Sequence, residues 1–117
     1  MNNREKGNYY ETLACEYLTG RGFVVSERNF RCPAGEIDVI GHDGADLVFV
    51  EVKARKSPVS GSGAEAVNRA KQRKICRAAD YYRTKHRIGE FSSIRYDCVS
   101  IDGEQITWFK AAFEHIF

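Results

Sequence analysis

Residues 35–55 read GEIDVIGHDGADLVFVEVKAR, two runs rich in β-branched and aromatic residues on either side of HDGAD. An Asp-Gly dipeptide between such runs is a strong local hairpin signal, so the two strands are expected to pair antiparallel. Alternate side chains on a strand share a face, which puts Glu51 and Lys53 on the side of Phe49 and sets Val48, Val50 and Val52 on the other. On the preceding strand Glu36 and Asp38 share a face, opposite Ile37 and Val39. With an even number of residues in the turn, the register brings Asp38 onto the face of Glu51.

Outward from this hairpin, residues 8–19 place Tyr10, Leu13, Ala14, Tyr17 and Leu18 at helical spacing, and Gly20 to Gly22 supply a stop. Phe23, Val24 and Val25 open a strand that continues toward Phe30 and ends near Pro33. After the hairpin, SPVSGSG at 57–63 reads as a flexible loop, and Ala64 to about His86 as a long helix with Val67, Ile75, Ala78 and Tyr82 on one stripe, closed by Gly89. IRYDCVSI and QITWFK, on either side of a turn at Asp102 and Gly103, are expected to form a second strand pair. The order is α-β-β-β-α-β-β with no internal repeat, and the 117 residues fit one domain, 1–117.

The 43% hydrophobic and 29% charged content is that of an ordinary globule, and no apolar run approaches the roughly 18 residues of a membrane span. MNNREKGNYYE at the start has no apolar core of an export signal, so the cytoplasm is the expected compartment. Cys15, Cys32, Cys76 and Cys98 are scattered singly and read as reduced packing residues. His42, His86 and His115 lack partners at ligand spacing and receive no role. The formal charge of +2 is too small to announce nucleic-acid binding by itself, so the distribution of charge carries the argument.

Two carboxylates facing each other on paired strands repel unless a positive charge stands between them. Oxygen ligands of this type suit Mg²⁺ or Mn²⁺, and Mg²⁺ takes only one or two protein carboxylates, leaving room for water and phosphate. Asp38 and Glu51 are therefore the candidate metal ligands, and Lys53, about 6–7 Å along the strand, is placed to contact a scissile phosphate or a nucleophilic water. The competing reading is an ordinary ion pair on a solvated strand face. Against it, the strands lie mid-chain between two helices, where a sheet is normally covered.

Glu11, at the margin of the first helix's apolar stripe, is placed to reach toward the sheet or to remain a solvated helix residue. Lys71 lies in the middle of the second helix's stripe, pointing inward or snorkelling to water. That helix also carries Arg69, Arg73, Lys74, Arg77, Arg83, Lys85 and Arg87, spread around several faces. Arg73 and Lys74, with Arg55 and Lys56 beside the Gly-Ser loop, would form a basic rim that guides a phosphate backbone toward the acids.

GEIDVIGHDGADLVFVEVKAR, preceded by ETLACEYLTGRGFVVSERNFRC and followed by AVNRAKQRK and IRYDCVSI, resembles the YraN-like family of bacterial proteins from about Tyr10 to Phe113. That family is placed in the restriction-endonuclease-like superfamily, similar to Holliday-junction resolvases. The resemblance implies an α/β fold with a central mixed β-sheet flanked by helices. It matches Asp38 to the first metal-binding acid, Glu51 and Lys53 to the E-x-K pair, and Glu11 to the helix glutamate that resolvase-like members add to the site. Glu36 and Lys71 fall at site-proximal positions, and Ile37 stands where the superfamily's signature has proline. The activity implied is Mg²⁺- or Mn²⁺-dependent hydrolysis of phosphodiester bonds in DNA, branched or repair intermediates included, by a homodimer. The rivals are a non-catalytic nucleic-acid-binding or adaptor module that retains the fold, and a small structural protein with an ion-paired hairpin.

Overall fold

The structure is a computed structural model that describes residues 1–55, 67–89 and 92–117, with the side chain of Arg55 outside the description. Its elements are α1 (Asn3–Thr19), β1 (Val24–Cys32), β2 (Gly35–Asp43), β3 (Asp46–Arg55), α2 (Arg69–Lys85), β4 (Ile94–Asp102) and β5 (Gln105–Phe113). The five strands form one mixed sheet in the order β1-β2-β3-β4-β5. All neighbours are antiparallel except β3 and β4, whose parallel pairing requires the crossover in which α2 lies. The element order and the open mixed sheet are those expected from the sequence.

Both faces of the sheet are covered. Ala14 and Leu18 of α1 pack on Val39, Val48, Val50, Val99 and Ile101. Ile75, Ala78, Ala79 and Tyr82 of α2 pack on Phe30, Ile37, Ile40, Phe49 and Cys98. This explains why LVFV in β3 is apolar without alternation: successive side chains enter opposite cores, and all four are buried. Glu51 and Lys53 follow on the same strand, so a charged pair begins where the apolar run ends.

The β2–β3 connection is a two-residue turn at Gly44 and Ala45, flanked by the pair Asp43↔Asp46, with Gly44 in the left-handed region at φ 61°. Gly41 answers to a close approach: a Cβ there would stand 2.2 Å from the Val24 carbonyl oxygen. The facing acids at the turn are neutralised by Arg95 of β4, which donates to Asp43 at 2.8 Å and Asp46 at 3.1 Å and forks onto Asp97 at 2.9 and 2.8 Å. Asp97, wholly buried, also accepts from the Trp108 indole at 2.8 Å and the Ala111 amide at 2.9 Å.

Two helix starts differ from the sequence reading. α1 begins at Asn3, because Asn2 caps it: its side chain accepts from the Glu5 amide at 2.9 Å and donates to the Glu5 carboxylate, a reciprocal cap that carries the helix beyond its apolar stripe. α2 begins at Arg69, because Asn68 is extended and its side chain accepts from the Lys71 amide at 2.9 Å. Val67 is thus buried just ahead of the helix and belongs to no helical stripe. The expected loop at 57–63 and the expected helical start at 64–66 lie outside the described residues. Among the described residues, no helix is long and apolar enough to cross a membrane.

Candidate metal and catalytic site

The β2–β3 ladder runs from Asp43↔Asp46 to Val39↔Val50 and stops there, whereas β3 remains paired with β4 out to Arg55↔Asp102. Extended by one step, that register sets Asp38 opposite Glu51, but the expected alternation breaks here: Ile37 packs in the α2 core and Val39 in the α1 core, so Asp38 borders hollows that Glu11 of α1 also lines, while Glu51 meets Lys71 of α2. In place of the next ladder bond the Val52 amide donates to the Asp38 carboxylate at 2.8 Å. The residue between Glu51 and Lys53 thus fastens the acid of the neighbouring strand, and the two carboxyl groups stand in mutual contact.

Glu51 is 6% exposed, and burial followed by the nearby Asp38 charge pushes its carboxyl up to about 8, against the opposing pull of Lys71 and Lys53. The Lys71 ammonium stands 3.9 Å from Glu51 Oε1, so of its two sequence readings the inward one holds. Burial raises Asp38 as well, opposed chiefly by the Val52 amide. Glu11, buried on α1, is pushed up to about 7 by burial and then by Asp38, with Arg28 countering from 3.8 Å. Glu36 is exposed and ion-paired with Arg31 at 3.2 Å, so it lies at the rim and acts on Asp38 and Glu11 only through its charge.

Glu11 Oε1 and Glu51 Oε2 are buried without a hydrogen-bond donor. Carboxyl oxygens without a hydrogen bond are rare and costly in a folded chain; Arg28 offsets Glu11 Oε1 from 3.8 Å, and a cation is the partner that Glu51 Oε2 lacks. Among the described residues no three His, Cys, Asp or Glu side chains already stand close enough to enclose a metal. The donor set is therefore an Asp38–Glu51 pair with Glu11 approaching from the opposite helix, which fits an ion that draws much of its coordination from water and substrate.

The basic residues are less concentrated. Arg73 and Lys74 are exposed on α2, Lys74 beside Gly35 at the start of β2. Lys56 and the side chain of Arg55 lie outside the described residues. Sequence reasoning passed over Arg28 and Asn29. Arg28 faces Glu11 and donates to Thr12 Oγ1 at 3.1 Å. Asn29 occupies the position opposite Asp38 on β1, between Arg28↔Val39 and Phe30↔Ile37, and has φ 54°. An asparagine inside a β-rich run was the available signal, since Asn is depleted in strands and tolerates the left-handed region.

A family model described as uncharacterised protein family UPF0102 matches residues 10–101. The chain belongs to the UPF0102 family. The match takes in Glu11, Asp38, Glu51, Lys53 and Lys71 and agrees with the resemblance drawn from the sequence. A UPF0102 protein of Alkalilimnicola ehrlichii is 45% identical over 109 residues, covering 93% of this chain and 86% of its own. UPF0102 relatives from Legionella pneumophila (42% over 113 residues, 95% of this chain and 96% of the relative) and Photobacterium profundum (46% over 112 residues, 93% and 90%) are similar over almost their whole lengths.

Proposed function

We propose that this UPF0102 protein is a Mg²⁺- or Mn²⁺-dependent endonuclease that hydrolyses phosphodiester bonds of DNA in the cytoplasm, with branched and repair intermediates as substrates. The observation that carries the reading is the contact between two carboxyl groups, the half-buried Asp38 and the buried Glu51, at the point where β2 leaves β3. Asp38 takes up the Val52 amide and Glu51 faces Lys71, yet Glu51 Oε2 remains buried without a hydrogen-bond partner. Asp38, Glu51 and Glu11 would hold the ion, which when bound acidifies a water and offsets charge at the phosphorus and the leaving oxygen.

The chain's own groups do the positioning. The Val52 amide holds one Asp38 oxygen and leaves the other available. Lys71 partly offsets the Glu51 charge, so the acids remain ionisable in a buried setting. Arg28 keeps Glu11 turned toward the sheet. Lys53, half-buried next to Glu51 on the strand, supplies a cation for a non-bridging phosphate oxygen. A homodimer would present two such sites to two strands.

The test is cleavage of labelled single-stranded, duplex and four-way-junction DNA in Mg²⁺ or Mn²⁺ by the parent, Asp38→Ala and Glu51→Gln. Cleavage by the parent and a loss of at least a hundredfold in both variants is expected. A parent that binds DNA but cuts none of these would transfer the case to the adaptor reading, and one that binds neither metal nor DNA would end the active-site claim.

A further inference from the structure

A cleft of about 500 Å³ opens beside Glu11 and Asp38, between the N-terminal half of α1 and strands β1 and β2, with Asn3, Arg4, Asn29 and Arg31 in its walls. On the other flank of the acids a smaller hollow of about 190 Å³ reaches Tyr10 and Val52. Gly7 lines both. It stands one helical turn before Glu11 and one after Asn3, so the three share a stripe of α1.

Glycine is a poor helix former, and a glycine inside a helix calls for a reason. Conformation does not supply one, since Gly7 is helical and is not among the residues with positive φ. Nor does close packing, since a Cβ at Gly7 would meet no atom within 4 Å. What the missing side chain does is leave the space above the acids open. The cleft's walls suit an anionic backbone. Arg4 and Arg31 bring positive charge to a place where three carboxylates would otherwise repel phosphate, and Asn3 and Asn29 bring amides able to hydrogen-bond phosphate or sugar oxygens. Arg31 is engaged by Glu36 through an exposed pair, the kind that exchanges readily for another anion.

We propose that a single strand of DNA crosses α1 at Gly7, in a cleft walled by Asn3, Arg4, Asn29 and Arg31 that leads its phosphodiester to Asp38 and Glu51. This rests on the nuclease reading and adds the strand path to it. The path runs on the α1 side of the acids, away from the exposed basic residues of α2.

Gly7→Ala and Gly7→Leu test it, because each adds bulk to the cleft while favouring the helix. Binding of a fluorescein-labelled single-stranded oligonucleotide is read by anisotropy in Ca²⁺ buffer, alongside melting with and without Mn²⁺. Both variants are expected to melt at or above the parent's temperature and to keep the Mn²⁺ shift. Gly7→Leu is expected to bind the oligonucleotide at least tenfold more weakly than the parent, with Gly7→Ala in between. Binding by Gly7→Leu within twofold of the parent's would overturn the strand path and leave the nuclease reading standing. A parent that takes Mn²⁺ but no single-stranded oligonucleotide would overturn the strand path, and one that also binds neither duplex nor four-way-junction DNA would overturn the nuclease reading as well.

Discussion

Glu51 is the residue on which the chemistry turns, and its protonation has a thermodynamic signature. Its folded pKa, about 8, lies above the ordinary 4.5. An acid raised on folding favours the folded state most below its unfolded pKa, and that contribution is lost as pH rises through the folded value. Without metal, Glu51→Gln should therefore melt higher than the parent at pH 8–9 by at least about 4 °C, roughly 1 kcal/mol for a domain of this size. The gap should close near pH 4, where the parent's glutamic acid is also neutral. Melting curves across that range check it, and a gap of the same size at both ends would mean that Glu51 is not ionised at a cost. That Asp38 comes across from Glu51 was legible in the sequence from the Asp-Gly turn and its register, but its face was not, because the alternation of β2 breaks at Asp38, where Ile37 and Val39 enter opposite cores. Arg28 and Asn29 were not legible either, because their roles depend on where β1 lands beside β2 and on a single left-handed residue.

At the scale of the element, the β2–β3 hairpin is pinned at its turn and parted at its site. The pin is Arg95, which joins Asp43 and Asp46 of the hairpin to the buried Asp97 of β4. Removing the cation from a buried ion pair strands the remaining charge, so Arg95→Met should lower stability by about 3 kcal/mol or more. Adding Asp97→Asn should recover part of that loss. Urea midpoints of the parent, the single and the double variant decide it, and additive losses would argue against an Arg95–Asp97 partnership. Nothing in the separate strings HDGAD and IRYDC announces this network, since it forms only when the parallel pairing brings β4 alongside the turn. The helix boundaries have a similar lesson. Asn2 and Asn68 each take up a backbone amide with a side chain, and these caps rather than the apolar stripes set where α1 and α2 begin.

For the whole molecule, the site lies where a helix from each face of the sheet meets the gap between two strands: Glu11 comes from α1 and Lys71 from α2. A ligand bound there only in the folded state must raise stability by mass action, about 2.7 kcal/mol at a hundredfold excess over Kd. The parent's melting temperature should accordingly climb with Mn²⁺ concentration, and that of Asp38→Ala should stay flat. Equal responses in the two would place any bound Mn²⁺ elsewhere.

The sequence by itself determined the order of elements, the hairpin and the register that sets Asp38 across from Glu51, because helical and strand periodicity and turn chemistry act between residues near in the chain. Membership in UPF0102 was equally within its reach, since the quoted motifs carry the resemblance. Only the tertiary structure decided that β2 leaves β3 at Asp38, that Glu11 is turned inward and held by Arg28, and that Gly7 faces an open cleft. Those features arise where distant segments meet, and burial, ladder termination and charge proximity have no value until the sheet and its two helices are assembled.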